Sequence, residues 1–198
     1  MTVMGLCKFA KGWRKGAVKG NAEGQYELAH CYRTGSEGVK LDKVAAAAWY
    51  GMAADQEHAG AQGSLGFCYA RGEGVGQNLE LAAVTLYRKA AEAGHAFGQG
   101  LLASCYATGK GVEQNDSLAV AWWEKSATGG LANSQHRLGF CFMHGKRGLP
   151  KNARRARSYL KAAAAQGFVD AIKDLKLLNT CESCGAPTPT ARAGAAGP

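Results

Sequence analysis

A glutamine recurs at Gln25, Gln62, Gln99 and Gln135, and six residues after each stands a cysteine, Cys31, Cys68, Cys105 and Cys141, at steps of 37, 37 and 36. The same register places Leu28, Leu65, Leu102 and Leu138 in one slot, Tyr32, Tyr69, Tyr106 and Phe142 in another, and Gly35, Gly72, Gly109 and Gly145 in a third. A unit of this length cannot close a core of its own, so the period implies two-helix units stacked into a solenoid. The chain is read as one continuous all-α array.

Each unit reads as two helices. The first begins near Ala22, Ala59, Ala96 and Ala132 and stops at the slot glycine, which tolerates the positive φ of a helix end. The second begins at Asp42, Asn78, Asn115 and Asn152, whose side-chain oxygens suit the orphan N–H groups of a helix start. In it, Ala46, Ala83, Ala119 and Ala156 offer close approach, and Trp49, Leu86, Trp122 and Tyr159 are expected to supply the bulky packing groups. Residues 1–20 look like a leftover second helix, because Trp13 stands twelve residues before Gln25 as Tyr50, Tyr87 and Trp123 stand twelve before the next glutamine. Its Lys8, Lys11, Arg14, Lys15 and Lys19 suit a solvated cap. The expected organisation is a solenoid over 1–180: the half-repeat 1–20, four repeats from about 21, 58, 95 and 131, and a terminal helix over 169–180. Residues 181–198 follow as a flexible tail rich in Ala, Gly, Pro and Thr.

The succession of Gln, Leu-Gly, aromatic, Gly-x-Gly-Val, Ala, Trp-Tyr and Lys-Ala-Ala-x-x-Gly-His, most complete in Gln62 to His95, resembles the Sel-1-like repeat (SLR), a relative of the tetratricopeptide repeat (TPR) with a longer connector. The match covers roughly residues 8–178. The resemblance implies a right-handed superhelical solenoid of antiparallel helix pairs, used as a scaffold or adaptor without catalytic residues or cofactor. It departs from the pattern where the first and fourth copies carry an extra connector residue and where Glu57 replaces a glycine stop.

The longest apolar runs fall well short of the ~20 residues that span a bilayer. Together with the lack of a charged-then-apolar leader, this gives an expectation of a monomeric, intracellular, cytoplasmic protein with no membrane contact. Seven cysteines would suggest disulfides in a small secreted domain, but four of them share one helical slot, where Cys behaves as a small buried hydrophobe.

Enzyme motifs are lacking: there is no Gly-x-Ser-x-Gly, His-Glu-x-x-His or Walker loop, and Gly72-x-Gly74 recurs as a connector between helices. His30, His58, His95, His136 and His144 share no spacing and no acidic partner in the sequence. Cys181 and Cys184 have the spacing of half a zinc site and faintly resemble the opening of a MYND-type finger, but a closed site needs four ligands and no second pair follows. The formal charge of +9 and the run Lys146, Arg147, Lys151, Arg154, Arg155, Arg157, Lys161 raise a second function, a nucleic-acid-associated or zinc-bearing regulatory protein. The arginines do not form one helical stripe and no stacked aromatics accompany them, so a solvated face is the preferred reading.

With the opening glutamine as zero and 100° per residue, the repeat-invariant slots 0, 3, 4, 6 and 7 share one arc and the variable slots 1, 2, 5, 8 and 9 the other. Invariant slots are packed and variable slots displayed. Slot 5 holds His30, Phe67, Ser104 and Phe140, flanked by Tyr26, Glu27, Arg33, Arg71, Arg137 and His144. Two phenylalanines on a displayed arc suggest apolar anchors for a protein or peptide partner. The expected binding residues are Tyr26, His30, Arg33, Phe67, Arg71, Ser104, Arg137, Phe140 and His144, lining a concave groove.

Overall fold

The structure is a computed structural model, which describes residues 8–80 and 85–183, the side chains of 8–11 and 181–183 excepted. Among them the chain is all helical: α1 (Lys8–Val18), α2 (Ala22–Thr34), α3 (Lys43–Asp55), α4 (Ala59–Arg71), α5 (Arg88–Glu92), α6 (Ala96–Thr108), α7 (Asp116–Thr128), α8 (Ala132–His144), α9 (Ala153–Ala165) and α10 (Val169–Ser183). Consecutive helices pack against each other along the whole array. Ala83 and the tail beyond Ser183 lie outside the described residues.

The repeated residues make repeated hydrogen bonds. Gly35, Gly72, Gly109 and Gly145 end the first helices at φ 67 to 70°, each donating its N–H to the carbonyl of the slot cysteine. This left-handed stop satisfies a carbonyl the helix would otherwise leave orphaned. Asp42, Asn78, Asn115 and Asn152 each donate a backbone N–H to the carbonyl of Tyr32, Tyr69, Tyr106 or Phe142, at 2.8 or 2.9 Å, so one bond closes every connector. The side chains of Asp42, Asn115 and Asn152 then accept from the third N–H of their helices. The slot glutamines are buried because they finish the preceding helix: Gln25, Gln99 and Gln135 donate to the carbonyls of Ala17, Ala91 and Ala127.

The packing of the second helices differs from the sequence expectation. The deepest groups of the second helices are Tyr50, Tyr87, Trp123 and Leu160, at 0 to 3% exposure, whereas Trp49, Trp122 and Tyr159 are only half-buried. In the second and fourth repeats slot 4 explains the choice. A Cβ on Gly66 would lie 2.7 Å from the Tyr87 ring and one on Gly139 2.8 Å from Leu160, so the large group of one helix fills the space a glycine leaves on the other.

The second repeat carries nine steps from Asn78 to Tyr87 where the first and third have eight, from Asp42 to Tyr50 and from Asn115 to Trp123. Residues 85–87 form a π turn, the wider i→i+5 form that absorbs one extra residue, and Tyr87 is returned to the buried slot.

Cys31, Cys68 and Cys141 are buried and Cys105 half-buried, and all four are free thiols. Burial raises every one of their pKa values, that of Cys105 to about 11. Because the thiolate is the reactive form, alkylation of Cys105 at pH 8 is expected to run at least about a hundredfold slower in the native protein than in urea. Peptide-resolved mass spectrometry reads this directly, and comparable rates in the two states would place the cysteine slot on the wrong face.

Candidate binding groove

At two junctions the first helices approach one another, α4 with α6 and α8 with α10, while no comparable contact joins the second helices among the described residues. Elements that crowd lie on the shorter radius of a curved stack, which makes the first-helix face the candidate inner face.

On this face the nine expected residues separate. Phe67 and Arg33 come together with Ser64 and Phe97 around a cavity of about 250 Å³. The Phe67 and Phe97 rings sit 6.3 Å apart at 47°, and the Arg71 guanidinium lies 5.2 Å over the Phe67 ring. Arg33 Nε donates to the Tyr50 hydroxyl at 3.3 Å, while Arg71 Nε pairs with Glu73 at 3.2 Å. A second cluster surrounds Phe140: His144 at 4.4 Å, His136 at 6.4 Å, and the Lys146 ammonium 4.9 Å over the ring.

The others stand apart. Ser104 lies between the clusters, its hydroxyl donating to the Gly100 carbonyl at 2.9 Å. His30 is half-buried, and burial, aided by the Arg33 charge, lowers its pKa. Arg137 is exposed. Tyr26 stacks on His58 at 4.8 Å and fills the space left by Gly60, so its contacts are those of packing. Slot 1 is not displayed in the middle repeats, where Gly63 and Gly100 are buried. At about 100° from the glutamine it faces the next repeat rather than the open side.

Phe97 is the residue the sequence reading missed. It stands two residues before Gln99, and on the same helical wheel that position falls only about 20° from slot 5. Carrying the wheel upstream of the glutamine would have found it.

Two histidines also have acidic partners, contrary to the sequence expectation. His58 Nδ1 accepts from the Ala61 N–H, capping α4, which leaves Nε2 to donate to Glu23 at 3.0 Å. His136 pairs with Asp174 of α10 at 2.9 Å and lies 5.1 Å from the Phe168 ring, tying the last helix to the stack. Among the described residues no group of three or more His, Cys, Asp or Glu is placed to hold a metal ion. The Cys181 side chain and Cys184 lie outside the described residues.

Two arginines of the basic run lie over aromatic rings, and most of the run is exposed. Arg147 pairs with Asp116, donates to the Ala107 carbonyl at 3.0 Å and lies over the Trp123 ring, and Arg155 lies 4.5 Å over Phe142. Among the described residues no helix is long and apolar enough to cross a membrane.

The pattern of the Sel1 repeat family matches residues 22–58, 59–95, 96–131 and 132–168. The fold is similar to that of a Sel1 repeat protein from Oxalobacter formigenes, at 30% identity and a TM-score of 0.78 over 90% of this chain and 70% of that one. It is also similar to a protective antigen of uropathogenic Escherichia coli strains displaying an SLR fold, at 32% identity and a TM-score of 0.71. That likeness covers 91% of this chain but 38% of the antigen. Helicobacter pylori cysteine rich protein B is 25% identical with a TM-score of 0.50, over 63% of this chain and 93% of that protein. No curated protein matches at a significant level. The array is thus the right-handed superhelical solenoid of SLR proteins.

Proposed function

We propose, from the premise that this chain belongs to the Sel1 repeat family, that it is a non-catalytic scaffold holding a protein or peptide segment along the inner face of its first helices. The observation that carries the reading is the aromatic pair Phe67 and Phe97, half-buried beside a cavity on that face. Phe140, two repeats further on, supplies a second anchor of the same kind, an aromatic ring with a cation over it. Partly exposed aromatics give large contact area at little cost in ordering, which suits them to hold a partner.

The test is affinity capture from a lysate of the cell that makes the protein, comparing the native chain with Phe67→Ala/Phe140→Glu. The double variant is expected to lose its specific partner while its melting temperature falls by only a few degrees. Retention of the partner, or a collapse of the melting transition, would remove both phenylalanines from the binding surface.

A further inference from the structure

The cavity bounded by Arg33, Ser64, Phe67 and Phe97 carries more than an apolar anchor, because one of its walls is a cation. Arg33 uses Nε on the Tyr50 hydroxyl, a bond that fixes the guanidinium and leaves the terminal nitrogens as further donors. Among the described residues no carboxylate forms an ion pair with it, whereas the nearby Arg71 is paired with Glu73. The cavity therefore sets an aromatic slot beside a positioned fork of N–H donors lacking an anionic partner, the arrangement suited to charge-assisted binding of a carboxylate.

Size and chain geometry narrow the ligand. At about 250 Å³ the cavity has room for a single side chain and is smaller than the usual small-molecule pocket. In an extended segment successive side chains point to opposite sides, so an internal acidic residue next to an apolar one does not enter the same slot with it. A chain terminus does, since one residue then carries both the apolar side chain and the carboxylate. Resting on the groove reading above, we infer that this cavity receives the C-terminal residue of a partner polypeptide, an apolar or aromatic side chain between Phe67 and Phe97 with its terminal carboxylate on Arg33.

The test uses three tripeptides titrated into the full chain labelled with ¹⁵N: acetyl-Ala-Ala-Phe with a free carboxylate, the same peptide as its amide, and acetyl-Glu-Ala-Phe amide, which carries its acid internally. The free acid is expected to perturb the amide signals of Ser64, Phe67 and Phe97 and to bind at least tenfold more tightly than either amide. Arg33→Gln should abolish that difference, and Phe97→Ala should weaken all three peptides. The contrast within the native chain needs no variant, so any instability from losing the Tyr50 contact leaves the inference falsifiable. Equal binding of acid and amide, tightest binding of the internal acid, or shifts confined to other surfaces would overturn it. If the peptides fail to discriminate while capture still depends on Phe67 and Phe140, the terminal-carboxylate assignment falls and the groove stands. If the free acid binds here while capture ignores the double variant, the pocket stands and the groove reading falls.

Discussion

Trp123→Ala is expected to lower stability by about 3 to 5 kcal/mol, the range for truncating a fully buried aromatic. Trp123 is 2% exposed and packs with Ala103 and Ala107 of α6, Ala119, Val120 and Ala127 of α7, and Leu138 and Cys141 of α8. The change therefore opens a cavity where three helices of two repeats meet. A solenoid is held by nearest-neighbour contacts, so the damage spreads to both sides of the third repeat. Trp122→Ala is expected to cost clearly less, because that ring is half-buried and one face lies under Lys125 Nζ at 4.0 Å. Trp123 Nε1 is buried without a hydrogen-bond partner, so Trp123→Phe removes an unsatisfied donor along with some volume and should be far milder than the alanine. Urea titration of the three variants measures the order. A larger loss for Trp122→Ala than for Trp123→Ala would reverse the inside and outside of the second helices.

That order also marks where sequence reasoning ends. The period, the helix pairs and the buried cysteine slot were legible because each rests on a local rule repeated in register, and the slot cysteines indeed accept the same helix-ending bond in every copy. Two adjacent aromatics such as Trp49 and Tyr50 are different. They stand 100° apart on one helix, both border the apolar arc, and only the partner helix decides which goes in. In the second and fourth repeats Gly66 and Gly139 make that decision, admitting Tyr87 and Leu160, from a sequence distance at which no local pattern operates. The His136 to Asp174 pair, 38 residues apart, depends likewise on how one repeat is set on the next. In the binding face, slot 5 was legible as variable and apolar, but its pairing of Phe67 with Phe97 required two helices to be placed together.

The contacts between repeats show the same dependence and give the second large effect. In two places a connector reaches back to the residue just after the N-cap of the preceding repeat's second helix or of its equivalent. Glu73 meets Lys43 Nζ at 3.5 Å, and Arg147 meets Asp116, so the two clasps have opposite polarity. The first requires the backbone itself to come close: a Cβ on Gly74 would lie 2.0 Å from the Lys43 carbonyl oxygen and 2.8 Å from the Val44 nitrogen. Gly74 also has φ +75°, a left-handed conformation that costs an L-residue roughly 1 to 2 kcal/mol. Gly148 has nearly the same φ, +74°, but a Cβ there would meet nothing within 4 Å. The two positions therefore separate conformation from contact. Gly148→Ala is expected to cost only the conformational part, while Gly74→Ala adds an overlap with fixed backbone, which by the scale of overpacked sites brings the loss to about 2 to 5 kcal/mol. The added damage falls on the junction of the first two repeats, so hydrogen exchange should quicken in α3 and α4 while α8 and α9 stay protected. Equal losses for the two alanines in urea titration would mean that the connector of the second repeat does not press against the start of α3.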